Sequence, residues 1–252
     1  MSARAYAYAQ ARLQARLGEM PGAGVWDGLQ TFVELPALLD QMRMTPLRRW
    51  IANISFPTPP HEMERLLRRH MQALIAEVAH WLPPAWRPAV QWTAILLDLP
   101  ALAHLLRGNE AYAWMQEEPV LRELAGLDPA MRASAAAHGR YAPFLPPRGD
   151  DALAARWLTE WRSRWPETNG RERAALERLV EVARAHLSRF ATGHGGSGEA
   201  ARERFRAEVT TLFRRHTLTP AAAFAWLLLA ALELERVRGA VVERALYAPG
   251  NH

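Results

Sequence analysis

The C-terminal stretch from Leu218 to Ala248 constrains the fold more than any other part of this chain. Within it, residues 221–232 are apolar without a break, directly after Thr219 and Pro220. Thr at an N-cap followed by Pro at the first helical position is a typical helix start. A helix that is apolar on all sides must be buried, and about a dozen residues is short of the roughly 20 that a bilayer span needs. We therefore expect this helix to form the centre of a helical core.

Composition narrows the chemistry that the chain can support. Its 252 residues are 50% hydrophobic, enough for a sizeable core, and contain no cysteine. Disulfides, thiolate metal sites and cysteine nucleophiles are therefore excluded, which fits a reducing cytoplasm. The N-terminus lacks the apolar core of a secretory signal, so we expect none.

The charge balance is basic, and every basic residue is arginine. The formal net charge is +5 and the isoelectric point is about 10.3. This balance suggests nucleic-acid binding, or alternatively solvated helix faces on which Arg and Glu are paired. The second interpretation is favoured because the two residue types are interleaved along the chain.

Amphipathic helices account for most of the remaining sequence. Residues 61–82 carry apolar side chains and His70 on one face at helical spacing, and residues 88–107 form a second helix that ends before Gly108. Prolines limit the middle of the chain to short helices and loops. We find no strand-like alternation and predict an all-α fold, mostly helical and monomeric.

Further predictions concern the second half. Trp157, Trp161 and Trp165 recur every four residues on a short helix, a spacing more typical of core than of a cofactor site. Residues 171–190 and 199–216 are helical, the latter rich in Arg. We expect a single all-helical domain over 1–252, with possible lobes at 1–56, 57–108, 109–192 and 199–252 and a flexible linker at 193–198.

Several partial motifs do not complete a catalytic or metal site. His61 and Glu62 begin a zincin-like motif, but Arg65 replaces the second histidine. Glu77 and His80 match half of a di-iron motif, which requires a second copy. The glycine-rich loop lacks the lysine and the strand of a phosphate-binding loop, and no nucleophile elbow is present. We predict no metal, no cofactor and no catalytic residue, and expect His70 to be a core histidine bonded to a backbone carbonyl.

Three stretches resemble the AC39-like family, the C/d-type subunits of V-type ATPases. The first, at residues 6–12, is similar to the family's Tyr-x-Tyr-x-Asn-Ala-Arg opening. The second, at residues 98–107, resembles its Asp-x-x-Asn-Leu-x-x-x-Leu-Arg helix. The third, from residue 216 onward, resembles its last helix, which Pro opens and which ends in Glu-x-Glu-x-x-Asn-Leu-Arg. The matching positions are Tyr6, Tyr8, Ala11, Arg12, Asp98, Leu102, Arg107, Pro220, Glu233, Val237 and Arg238.

The chain also departs from the family pattern. Gln10, Ala101 and Arg236 stand where the family has Asn, and Ala230-Ala231 replaces a Lys-Glu pair. The chain is also shorter than typical members, and residues 109–200 show no match. The resemblance implies related helical lobes in a funnel, here with two recognisable lobes and a reduced third.

The function that the resemblance implies is structural. Such a protein is a non-catalytic socket that couples a central stalk to a membrane rotor ring, without cofactors. It would be cytoplasmic and peripheral at the membrane face, with other protein subunits as partners. A second possibility is a helical adaptor of another membrane-associated complex, or a helical interaction protein unrelated to ATPases. An Arg-rich nucleic-acid binder and an enzyme are less favoured alternatives.

Overall fold

The computed structural model describes residues 3–139, 141–145, 150–191 and 198–246. The predicted linker at 193–198 and the end of the predicted C-terminal stretch at Ala248 therefore lie almost entirely outside the described residues. Most of the described residues are helical, a share far above the roughly one-third average of globular proteins. The described part contains no strand, so the all-α prediction is confirmed.

Thirteen α-helices occur in the described ranges. They are α1 (Ala7–Gly18), α2 (Ala23–Gln30), α3 (Leu35–Arg43), α4 (Pro60–Trp81), α5 (Arg87–Trp92), α6 (Ile95–Leu106), α7 (Ala113–Glu117), α8 (Arg122–Ala125), α9 (Pro129–Ala137), α10 (Asp150–Ser163), α11 (Gly170–Ala191), α12 (Gly198–Arg215) and α13 (Pro220–Leu246). Short 3₁₀ turns lie at Ala3–Tyr6, Pro46–Arg49, Pro84–Trp86 and Ala142–Phe144.

The chain divides into two compact units. The first comprises Met1–Pro84 and Glu167–His252, and the second comprises Ala85–Pro166. Neither boundary coincides with a predicted lobe boundary. The first boundary falls inside the predicted lobe 57–108, so α4 and α6 belong to different units.

Helix α13 is the central element of the first unit. It begins at Pro220, as predicted, and packs against α1, α3, α4, α11 and α12. Its residues 220–227 are all buried, and Trp226 has no exposed surface. Leu228, which we expected to be enclosed, is partly exposed. The Thr219 hydroxyl donates backward to the His216 carbonyl at 2.6 Å, and its role as a side-chain cap stays a prediction.

Helix α4 also lies largely as its pattern predicts. It spans Pro60–Trp81 and buries Met63, Leu67, Leu74 and Val78. In the same unit, Thr45 caps the Pro46 turn by accepting from the backbone N–H of Leu47 at 3.2 Å. This cap places the Arg49 and Trp50 side chains that follow.

The second unit is built around indole rings. Trp161 and Trp165 are buried, with ring centroids 4.9 Å apart, which confirms a core role for them. Trp157 is half-buried, and it exchanges indole-to-carbonyl hydrogen bonds with Trp92 at 3.1 and 3.2 Å. Such reciprocal bonds satisfy two polar N–H groups that an apolar core would otherwise leave unpaired.

The helix that we predicted over 88–107 is broken. α5 ends at Trp92 and α6 begins at Ile95, with a bend of 42° between them. Gly108 ends α6 as expected, and its φ of +81° is a conformation that glycine adopts readily. No single helix in the described ranges has the length and apolar character to cross a bilayer, although this bent pair meets that measure by length and composition.

Candidate functional site

A buried ion pair lies at the middle of the first unit. Glu233 projects from α13 and has no exposed surface. Its Oε1 accepts from Arg49 Nη2 at 2.5 Å and from the indole N–H of Trp50. Arg49 is the last residue of the 3₁₀ turn Pro46–Arg49, and Trp50 follows it directly. The arrangement joins the central helix to a turn 184 residues earlier in the chain.

His70 extends this buried polar cluster from α4. Its ring lies 4.8 Å from the Trp50 ring, and its Nε2 has no hydrogen-bond partner in the described part of the chain. The prediction that it bonds a backbone carbonyl is therefore not met at this nitrogen. Burial lowers the pKa of His70, and the positive charges of Arg49 and Arg16 lower it further, while Glu77 acts in the opposite direction.

The cluster is better suited to fixing helix positions than to chemistry on a substrate. The Glu233 carboxylate does not contact solvent, and the Arg49 side chain is only 13% exposed. Taking two charges out of water costs several kcal/mol per ion, which only close mutual pairing offsets. The ion pair therefore links α13 directly to the Pro46 turn.

The N-terminal motif positions meet the start of α13. Tyr6 is buried, and the Oε1 of Gln10 accepts from the backbone N–H of Leu218 at 3.0 Å. Leu218 has a φ of +60°, a left-handed conformation that leaves its N–H outside the helix ladder. Gln10, which stands where the resembled family has Asn, thus supplies an acceptor for the Leu218 N–H, just before the central helix begins at Pro220.

Other N-terminal motif residues are exposed. Tyr8 is 56% exposed, and Arg12 Nε donates to its hydroxyl at 3.2 Å. The Arg12 guanidinium also lies 5.4 Å from the centre of the Tyr8 ring and 5.9 Å from that of Trp81. Ala11 is exposed beside them.

The remaining motif positions divide between core and surface. Val237 is fully buried in α13, and Arg238 donates from the same helix to Glu64 on α4 at 2.5 Å. Asp98 and Leu102 are buried in α6, whereas Arg107 is exposed after it. The first and third motifs therefore lie together in one unit, and the second belongs to the other unit.

A groove of about 340 Å³ lies between α2, α12 and α13. Its lining includes Trp26, Glu199, Arg236 and Gly239. The Arg236 guanidinium lies 4.5 Å from the centre of the Trp26 ring and donates to Glu199 at 2.9 Å. Burial lowers the pKa of Arg236, although Glu199 opposes that shift. Sequence reasoning missed this groove because it is formed by three helices that are distant in the chain.

The groove carries charge of both signs. Arginine and glutamate line it in equal number: Arg202, Arg206, Arg236, Arg244, Glu199, Glu203, Glu235 and Glu243. Two of the arginines hold the segment around α2 in place, since Arg206 donates to the Pro21 carbonyl at 3.3 Å and Arg244 to that of Phe32 at 2.7 Å. This mixed lining suits a polar protein surface better than an apolar small molecule.

The partial metal motifs do not assemble. Glu62 pairs with Arg65 at 2.6 Å, and Glu77 pairs with Arg16 at 3.1 Å. In the described residues no group of three or more His, Cys, Asp or Glu side chains is placed to hold a metal ion.

Comparison with known proteins provides no relative for this chain. No protein-family model, no curated protein and no solved structure matches it.

Proposed function

We propose that this chain is a non-catalytic structural subunit or adaptor of a membrane-associated complex, of the kind represented by the AC39-like, C/d-type subunits of V-type ATPases. The observation that carries the proposal is the fully buried Glu233, held by Arg49 and Trp50. This glutamate is one of the positions that resemble the family, and here it orients the central helix. A buried ion pair that fixes one arrangement of helices suits a stiff connecting part.

The proposed partner surface is the groove between α2, α12 and α13. Paired charges at a protein interface set partner choice and register more than raw affinity, and Arg236, held over the buried Trp26 ring, supplies an arginine of the kind enriched at interfaces. A partner with alternating charges fits this lining. The alternative function, an adaptor of a different membrane-associated complex, would use the same surface.

Recovery of partners from source cells tests the proposal. We expect an affinity-tagged chain to retain subunits of a rotary ATPase or of another membrane-associated complex, identified by mass spectrometry after crosslinking. The identity of the recovered subunits distinguishes the two functions. Recovery of the chain alone, or with nucleic acid, would contradict both.

A groove-filling variant makes this test specific. An added Cβ at Gly239 meets no atom within 4 Å, and the same is true of Gly28. Gly239→Arg therefore extends a side chain from the groove lining, whereas Gly28→Arg places the same side chain on α2 outside that lining. We expect partner recovery to be lost in the first variant and kept in the second, with neither melting temperature lowered. Equal recovery in both would remove the groove as the partner surface.

A further inference from the structure

One end of the first unit carries a group of arginines without partners. Arg171 lies in the first turn of α11, and Arg214 and Arg215 lie in the last turn of α12. All three are exposed, and none has a hydrogen bond or ion pair with another described residue. Most other interhelical arginines described above are paired, for example Arg16 with Glu77 and Arg238 with Glu64.

These arginines come together because α11 and α12 pack along one another. The pairing places the start of α11 beside the end of α12, where His216 follows. Burial lowers the pKa of His216, and the charges of Arg171 and Arg215 lower it further. Both charges that act on this histidine are therefore positive. Glu172, the acidic residue next to Arg171, is buried, and its carboxylate accepts from the backbone N–H of Asn169 at 3.4 Å.

An apolar side chain projects beside this basic group. Leu218 follows His216 by two residues, is 37% exposed, and is held in a left-handed conformation by the hydrogen bond to Gln10. Exposed cations around an exposed apolar side chain are the combination that binds anionic membrane surfaces, because the charges attract lipid headgroups and the apolar group enters the interface.

We propose that Arg171, Arg214, Arg215 and Leu218 form a surface that docks on anionic phospholipid headgroups. This inference deepens the proposed function of a peripheral subunit and rests on it. It adds a direct contact with lipid to the contacts with other subunits. The arginines supply long-range attraction, which salt screens over about 10 Å at 0.1 M ionic strength, and Leu218 supplies a short-range term that salt does not screen.

Vesicle co-sedimentation of the full chain tests this surface. The vesicles are phosphatidylcholine alone or phosphatidylcholine mixed with phosphatidylserine, at increasing salt. We expect binding to the mixed vesicles only, with affinity falling as salt rises. Neutralising Arg171, Arg214 and Arg215 together to Gln should weaken binding by about 100-fold, at roughly five-fold for each arginine.

Matched variants separate location from total charge. Neutralising Arg4, Arg48 and Arg69, which are exposed at other places in the same unit, removes the same charge from outside the proposed surface and should weaken binding far less than the first triple variant does. Leu218→Asn, which suits a left-handed residue, should weaken binding by about ten-fold at every salt concentration.

Three results would overturn the inference. The first is absence of binding to vesicles that contain phosphatidylserine. The second is an equal loss of vesicle binding in the two triple variants. The third is binding to duplex nucleic acid that is tighter than binding to the vesicles and is lost when Arg171, Arg214 and Arg215 are neutralised. The vesicle assay contains no partner protein. Its failure alone would thus remove the lipid contact, whereas failure of partner recovery from source cells would remove the proposed function.

Discussion

The guanidinium of Arg49 and the carboxylate of Glu233 form an ion pair in which the carboxylate is fully buried. Their 2.5 Å hydrogen bond joins the Pro46 turn to the central helix, and Trp50 donates to the same oxygen. The second carboxylate oxygen and two guanidinium nitrogens have no partner in the described residues. The stability of this unit should therefore depend strongly on the two charges being present together.

Removing one member of the pair should be costly. Glu233→Gln leaves the Arg49 charge buried without compensation, and we expect a loss of about 3–5 kcal/mol in the free energy of unfolding. Urea denaturation followed by circular dichroism measures this loss. Glu235→Gln, at an exposed position two residues away, should change stability by less than about 0.5 kcal/mol.

A double variant tests whether the cost comes from the unpaired charge. Arg49→Met combined with Glu233→Gln removes both charges while the amide oxygen can still accept from Trp50. We expect the double variant to recover most of the loss, because well-packed neutral groups often replace a buried pair at little cost. A double variant no more stable than Glu233→Gln would show that packing, not charge, holds this position.

The sequence could predict the central helix but not its ion pair. The unbroken apolar run after Thr219-Pro220 indicates burial directly, because a helix that is apolar on all sides must be enclosed by other parts of the protein. Glu233, in contrast, is the first charged residue after the apolar run, and its partner Arg49 lies 184 residues earlier in the chain. One local signal was present: Ala230 and Val237, at spacings of three and four residues, share its face and are buried.

The break between α5 and α6 shows a second limit. Apolar residues continue through 88–107 at helical spacing, and no Gly or Pro lies at the break itself, around Thr93 and Ala94. The Thr93 hydroxyl donates to the Val90 carbonyl at 2.6 Å, a local bond that competes with the helix ladder. Two indole bonds between Trp92 and Trp157 then hold the end of α5. These indole bonds are tertiary contacts, which the spacing of apolar residues in the sequence does not indicate.

Truncation of Trp226 tests the position of the central helix. This side chain has no exposed surface, so Trp226→Ala removes a large buried group and leaves a cavity. We expect a loss of about 3–5 kcal/mol and a clearly lower melting temperature. Glu243→Ala, at an exposed position of the same helix, should be close to neutral. An unchanged melt for Trp226→Ala would contradict the burial of this helix.

Acid should weaken the fold through His70. Its pKa is below the ordinary value in the folded state, so the unfolded chain binds the proton more readily. The stability that neutral His70 provides is complete above about pH 6.5 and is lost as pH falls through the folded-state pKa. His216 contributes in the same direction.

The pH dependence can be assigned by substitution. The free energy of unfolding, measured by urea denaturation between pH 7.5 and 5, should fall less steeply in His70→Leu than in the parent chain. His80→Gln, at an exposed position of the same helix, should retain the parent slope. Identical slopes in His70→Leu and the parent would contradict a buried, neutral His70.

Gly239 offers a stabilising change in α13. It is exposed within the helix, and an added methyl group meets open space. Gly239→Ala should raise the free energy of unfolding by about 0.5–1 kcal/mol, because alanine loses less backbone entropy in a helix. Thermal melts at matched concentration measure the change, and a decrease would show that the groove side of α13 is more crowded than its geometry indicates.

The hydrogen bond between Gln10 and Leu218 sets the entry to the central helix, and two substitutions test it from opposite sides. Gln10→Ala leaves the Leu218 N–H without its acceptor in a half-buried position, which should cost about 1–3 kcal/mol. Leu218→Gly keeps that N–H and removes the penalty of a left-handed leucine, roughly 1 kcal/mol, so it should be neutral or stabilising. Leu218→Val should destabilise the fold, since a β-branched residue disfavours positive φ most strongly. Urea denaturation of the three variants beside the parent gives the order directly. If Leu218→Val were as stable as Leu218→Gly, the left-handed conformation before Pro220 would not be required for the central helix to begin there.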